Sequence, residues 1–171
     1  MFRSFTLVII FAFLSCSAVT LVSFESVDIV SDESWTVQGT NYMGKAVEAW
    51  NHPQWTSISG AKWIWKSFYA EDPWNGETYM FQKEFSINGL PTQSSLTIAA
   101  DDSFALILNG NLVASSQNWN EGQAQTFNVQ GKLLQGRNTV QVVVSNYVRD
   151  GHSQFNTGGL LFKLTVTWLN I

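Results

Sequence analysis

The strongest constraint on the fold of this chain is a two-residue alternation of apolar and polar side chains that recurs in five segments. Successive side chains of a β-strand point to opposite faces, so this alternation predicts strands with one buried face. The apolar residues expected on the buried faces are Tyr79, Phe81, Phe85 and Ile87; Leu96, Ile98 and Ala100; Phe104, Leu106 and Leu108; Val140, Val142 and Val144; and Leu160, Phe162, Leu164, Val166 and Trp168. Consecutive strands at this spacing favour an all-β sandwich.

Turn residues separate these segments. Asn109-Gly110 predicts a type I′ hairpin, because both central residues of that turn need positive φ. Asp101-Asp102 also lies between two alternating segments, where Asp side chains accept backbone hydrogen bonds and stabilise a tight turn. A calcium-ligand role and a catalytic role for these two aspartates remain as alternatives. The stretch "MGKAVEAW" is expected to be able to form about two helical turns.

The N-terminal stretch differs from the rest of the chain. Arg3, an apolar run at residues 5–14 and then small residues have the layout of a secretory signal peptide. We expect residues 1–18 to be this signal, residues 19–34 to form an N-terminal segment or first strand, and residues 35–171 to form the sandwich. Lipidation at Cys16 is the alternative to cleavage.

Composition narrows the classes of partner. No later apolar run approaches the about 18 residues of a transmembrane helix, so we expect a secreted protein with no membrane span. No basic stripe is present to neutralise phosphates, so nucleic acid is not an expected partner. Common catalytic motifs are absent, and His52 and His152 are 100 residues apart, so no catalytic residues, metal site or cofactor are expected. Structural calcium is an alternative that no motif supports.

Several stretches resemble, in order, the jelly-roll β-sandwich of the galactose-binding-domain-like superfamily, as in carbohydrate-binding modules attached to glycosidases. They are "GAKWIW", "YMFQKEFSI", "LTIAADDSFALILNGNLV", "LLQGRNTVQVVVSN" and "GGLLFKLTV". The resemblance implies a sandwich of two antiparallel sheets, with sugar contacts on variable loops at its rim. It also implies structural roles for Asp101, Asp102, Asn109, Gly110, Gly136 and Asn138.

Three polar loops carry the residue types that a sugar site needs. A sugar presents apolar C–H faces and a rim of hydroxyls, so its site combines an aromatic ring with amides or charges. The loops "AEDPWNGE", "SQNWNEGQ" and "NYVRDGHSQFN" offer this mixture. The predicted ligand-binding residues are Asp72, Trp74, Asn118, Trp119, Asn120, Tyr147, Arg149, Asp150 and His152.

Each of these assignments has a structural alternative. The rings of Trp74 and Trp119 could instead pack against the sandwich, because most tryptophans are largely buried. Arg149 and Asp150 could simply brace their loop.

The other tryptophans are assigned by their surroundings. Trp63, Trp65 and Trp168 lie on apolar strand faces and are expected in the core, whereas Trp35, Trp50 and Trp55 could form either a rim platform or a plug under the sandwich.

The sequence therefore predicts a secreted, non-catalytic carbohydrate-binding module whose partner is a carbohydrate or glycoconjugate. The alternative is a self-associating structural protein of an extracellular coat, matrix or filament, since exposed aromatic patches also serve interfaces. A glycosidase is the third alternative, because paired carboxylates on loops could flank a sugar bond.

Overall fold

A computed structural model describes residues 3–5, 22–69, 76–116, 122–147 and 156–170, with only the backbone for residues 3–5. These residues form thirteen strands: β1 (Arg3–Phe5), β2 (Ser23–Val30), β3 (Thr36–Gly39), β4 (Tyr42–Lys45), β5 (Val47–Glu48), β6 (Ile64–Trp65), β7 (Glu77–Ile87), β8 (Leu90–Asp101), β9 (Ser103–Leu108), β10 (Asn111–Ser115), β11 (Gln125–Asn128), β12 (Gly136–Asn146) and β13 (Gly159–Asn170). The described part of the chain contains no helix long and apolar enough to cross a membrane.

The strands pair into two antiparallel sheets. In the seven-stranded sheet, β13 is central, with β2 and β6 along one side and β8 along the other; β1, β5 and β11 extend this sheet from β2, β6 and β8. The six-stranded sheet has the order β10-β9-β12-β7-β3-β4. The predicted all-β sandwich of two antiparallel sheets is confirmed.

The core lies between the facing sides of the sheets. All the apolar positions predicted for the five buried faces are buried, except Phe85, which is half-buried. Trp65 packs on Phe81, with 5.5 Å between ring centroids. Trp35 meets Phe162 edge-on at 5.0 Å, an arrangement that aromatic pairs favour.

The tryptophans divide between the core and its margin. Trp63 and Trp168 are buried as predicted, and Trp35 and Trp65 are fully buried. Trp55 is half-buried, and its ring lies 4.2 Å from that of Trp63 between centroids. Trp35 is therefore a core residue, while Trp55 covers one end of the core.

A side-chain network fixes the hairpin at the other end of the six-stranded sheet. Asn109 and Gly110 have φ values of 50° and 78°, which confirms the predicted turn. Buried Asn138 accepts hydrogen bonds from Asn109 Nδ2 at 2.9 Å and Leu134 N at 2.8 Å, and it donates to Gly136 O at 2.9 Å. These residues have the structural roles that the resemblance implies.

The two helical turns that "MGKAVEAW" was able to form are not present. Met43 and Lys45 belong to β4, whereas Val47 and Glu48 form β5 in the other sheet. The chain changes sheets at buried Ala46, whose amide donates to Trp35 O at 2.9 Å. Strand pairing across the sandwich therefore overrides the local helical propensity.

The described N-terminal backbone adds one strand to the first sheet. Arg3–Phe5, which falls in the segment predicted as a signal peptide, pairs with residues 24–26 of β2. β2 itself lies within the range 19–34. Removal of the signal, and lipidation at Cys16 as its alternative, stay predictions because residues 6–21 lie outside the described ones.

Replacing Asn138 tests the network behind the hairpin. Asn138→Ala is expected to lower the free energy of unfolding by about 1–3 kcal/mol, because it leaves buried polar groups without partners. The matched control is Asn111→Ala at an exposed hairpin position, where the expected change is below about 0.5 kcal/mol. Urea denaturation measures both, and equal effects would contradict the role assigned to Asn138.

Candidate functional site

The residues that anchor the three predicted loops lie at one end of the sandwich. Asn146, at the end of β12, pairs directly with Glu77, the first residue of β7. Ser116, just after β10, exchanges two hydrogen bonds of 3.0 Å with the backbone of Phe104, near the start of β9. The three predicted loops span residues 70–77, 116–123 and 146–156, and their parts outside the described residues are called here loops 70–75, 117–121 and 148–155. Since β9 and β7 flank β12, the described residues next to these parts sit on neighbouring strands.

Most of the predicted ligand-binding residues lie outside the described ones. They are Asp72, Trp74, Asn118, Trp119, Asn120, Arg149, Asp150 and His152, and their roles stay predictions. Tyr147 is described: it is 44% exposed, and its hydroxyl is 2.8 Å from Ser103 Oγ. It therefore places an accessible aromatic ring beside the ends of these loops.

Two adjacent aspartates lie beneath the loop ends. Asp102 is buried, and its carboxylate accepts a 2.6 Å hydrogen bond from Tyr147 N. Asp101 accepts hydrogen bonds from Thr157 Oγ1 at 3.2 Å and Trp55 Nε1 at 3.1 Å. Tyr147 and Thr157 flank loop 148–155, so the pair fixes both of its ends. The two aspartates lie at the junction of β8 and β9 and contact residues 45, 46 and 56 positions away.

Trp55 links the aspartate pair to a second loop. Gly122, the first described residue after loop 117–121, donates its amide to Ala100 O at 3.1 Å and accepts from Thr56 N at 3.1 Å. Its φ is 75°, and a Cβ there would lie 2.2 Å from Trp55 Cδ1. Position 122 therefore needs glycine both for its backbone conformation and for contact with the indole.

The environment of the pair favours a shared proton. Burial, and then the adjacent charge of Asp102, raise the pKa of Asp101 to about 8. Asp101 therefore keeps its proton to a higher pH than an isolated aspartate does, and the two neighbouring carboxyls titrate as a pair. In the described ranges, no three His, Cys, Asp or Glu side chains are grouped so that they could hold a metal ion.

A buried ion pair fixes the ends of loop 70–75. Lys66 Nζ lies 2.8 Å from Glu77 Oε1, and both side chains are largely buried. Glu77 also accepts hydrogen bonds from Trp65 Nε1 at 3.3 Å and the Tyr79 hydroxyl at 3.2 Å. Breaking a buried pair leaves an uncompensated charge. The start of β7 is consequently held in one position.

At this end of the core, the side-chain amide of Asn146 is buried. Its side chain is 1% exposed, and neither amide atom has a hydrogen-bond partner among the described residues. A Cβ at Gly158 would lie 3.1 Å from Asn146 Nδ2 and 2.7 Å from the Trp65 ring. A glycine at 158 thus gives the amide and the indole room to pack.

Two β-glucuronidases of known structure share this fold in part of their chains. The chain is similar to the FMN-binding β-glucuronidase of Facaelibacterium prausnitzii L2-6, with 16% identity, a TM-score of 0.53 and coverage of 82% of this chain and 22% of that one. The Ruminococcus gnavus β-glucuronidase is 13% identical, with a TM-score of 0.50 and coverage of 85% and 29%. A family 35 carbohydrate-binding module from Clostridium thermocellum is 12% identical, with a TM-score of 0.44 and coverage of 82% and 97%.

These comparisons bear on the fold. The sandwich of two antiparallel sheets predicted from the sequence is confirmed, and this chain spans about a quarter of the length of the two glucuronidases. No model of a protein family matches the chain, and no curated protein matches its sequence.

The aspartate pair predicts a characteristic pH dependence of stability. Because the pKa of Asp101 in the folded protein lies above its ordinary value, the folded state binds more protons than the unfolded state from about pH 4 to about pH 8. The contribution of Asp101 to the free energy of unfolding therefore falls as pH rises through this range. Asp101→Asn, which resembles the protonated form, should raise the melting temperature at pH 8 by several degrees and remove this decline.

Asp28→Asn is the matched control. Partial burial tends to raise the pKa of Asp28. Hydrogen bonds from Thr165 and Lys163 outweigh this effect, so the pKa lies below its ordinary value. Asp28 therefore contributes to the free energy of unfolding at pH values above its ordinary pKa, and this contribution is lost as the pH falls through the lowered pKa. Thermal melts at pH 8 should show a slightly lower melting temperature for Asp28→Asn than for the wild type. If Asp101→Asn lowers the melting temperature at pH 8 by as much as Asp28→Asn or more, the shared proton is contradicted.

Proposed function

We propose that this protein is a secreted, non-catalytic carbohydrate-binding module whose ligand contacts come from loops 70–75, 117–121 and 148–155. The observation that carries the proposal is the meeting of all three sets of loop anchors at one end of the sandwich. Each loop contains aromatic, amide or charged residues suited to a sugar. Rigid strands with fixed ends are a suitable base for such a site.

The energetics require several loops to act together. Burying about 100 Å² of apolar surface on one tryptophan ring contributes about 2.5 kcal/mol. A millimolar dissociation constant already needs about 4 kcal/mol. Trp119 alone is therefore insufficient, and Asn118 and Asn120 of the same loop, together with Asp72 and Arg149 of the other two loops, supply the remainder. Anchors on adjacent strands favour this combination.

The described carboxyl groups at this end support a binding role over a catalytic one. Asp101 and Asp102 are occupied by hydrogen bonds from Trp55, Thr157 and Tyr147. The buried Glu77 is paired with Lys66. A glycosidase needs two carboxyl groups that reach opposite sides of a sugar bond, about 5–10 Å apart. These carboxyls instead hold the loop ends in place.

The comparisons support a carbohydrate-related function. A sandwich of this fold makes up about a quarter of each of the two β-glucuronidases. This context supports the choice of a carbohydrate or glycoconjugate as the partner.

Removing loop rings tests this function. The protein should bind saturably to at least one member of a glycan array or one insoluble polysaccharide. Trp119→Ala and Trp74→Ala should each weaken that binding by about 10- to 70-fold, the upper value corresponding to complete loss of about 2.5 kcal/mol. Isothermal titration calorimetry measures the change, and thermal melting checks that each variant is folded.

Phe24→Ala is the matched control. Phe24 is 36% exposed and pairs with Leu169, at the end of the sandwich opposite Asp101. This variant should bind like the wild type. If the folded wild-type protein binds no glycan and instead associates with itself as concentration rises in sedimentation velocity, the function proposed here is wrong and a self-assembling structural role replaces it.

A further inference from the structure

The outer face of the six-stranded sheet carries an open groove of about 360 Å³ next to the loop end. The alternation that buries Phe104, Val142 and Val144 turns the intervening side chains of β9 and β12 outward. The groove is lined by Ser103, Phe104, Ala105, Ser115, Ser116, Val143, Ser145 and Tyr147. Its volume falls within the range of about 300–1,000 Å³ of small-molecule sites.

The lining combines hydroxyl groups with a small apolar floor. Ser145 Oγ lies 2.9 Å from Thr78 Oγ1 on the neighbouring strand, and Ser103 Oγ bonds the Tyr147 hydroxyl. Ala105 and Val143, which are directly paired, form the floor between them. Hydroxyls both donate and accept hydrogen bonds, as sugar hydroxyls do, while the floor suits sugar C–H groups.

The groove lies beside the ends of two loops. Tyr147 directly precedes loop 148–155, and Ser116 directly precedes loop 117–121. A sugar bound beside Tyr147 and Ser116 would have its next sugar unit at the groove. No charged side chain lies among the described lining residues, so an anionic sugar would lose hydration there without gaining a counter-charge.

We infer that this groove binds the continuing, uncharged part of an oligosaccharide chain whose first sugar is held by the loops. The inference rests on the proposed function and extends it to a ligand class: a neutral oligosaccharide or the chain of a neutral polysaccharide. The exposed ring of Tyr147 stacks on the sugar between the loops and the groove. The serines form hydrogen bonds with hydroxyls of the following sugars of the oligosaccharide.

The dependence of affinity on chain length tests the groove. The probes are mono-, di- and tetrasaccharides of the neutral glycan that binds best in an array containing glucans, xylans, mannans and galactans, with a polygalacturonate series beside them. The wild-type affinity should rise by about 10-fold or more from the monosaccharide to the tetrasaccharide. The uronate series should gain nothing with length.

Ser115→Leu blocks the groove at an exposed edge-strand position, so the fold should be retained. This variant should bind the monosaccharide like the wild type and lose the gain with length. Ser86→Leu is the matched control, because Ser86 is exposed on the outer face of β7 away from the groove. Thermal melting checks that both variants keep the fold.

Different outcomes separate the two proposals. Binding that does not change with chain length, or a length gain that survives in Ser115→Leu, would overturn the groove while leaving the loop site intact. A gain with length for the uronates as large as for the neutral series would overturn the neutral ligand class. No binding of any probe by the folded wild type would overturn both proposals.

Discussion

The position of β13 between its neighbours is the constraint on which the rest of the structure depends. Its twelve residues pair with β8 on one side and with β2 and β6 on the other, while Leu160, Phe162 and Leu164 enter the core. This register sets Gly159 opposite Asp101, and a Cβ at Gly159 would lie 2.8 Å from the Trp63 ring. Packing of the core thus places the aspartate pair, Trp55 and Trp63 at one end.

Hydrogen bonds and one buried ion pair hold the described residues around the three loops at that end. The aspartates bond residues on both sides of loop 148–155, Trp55 ties them to the end of loop 117–121, and the Lys66–Glu77 pair holds the residues around loop 70–75. A fixed base reduces the conformational entropy that the loops lose when a ligand binds. If the loops bind a sugar as proposed, the same contacts serve both stability and recognition.

The sequence predicted the strand faces because period-two alternation is a local signal, and it predicted the hairpin because Asn109-Gly110 has a specific backbone requirement. It left a short helix possible at "MGKAVEAW", where pairing partners in different sheets decide the structure. The doublet at Asp101 was visible, but its partners Trp55 and Thr157 lie 46 and 56 positions away. The groove was missed because its serines come from three strands that only the sheet register brings together.

The most direct test of carbohydrate binding at this end is a map of backbone amides that respond to ligand. In ¹⁵N–¹H correlation spectra, titration with the best-binding neutral oligosaccharide should shift the amides of Ser103, Ser116, Gly122 and Tyr147. The amides of Gly89 and Leu169, at the opposite end, should not move. Shifts confined to the opposite end, or none at saturating ligand, would contradict a sugar site at the loop end.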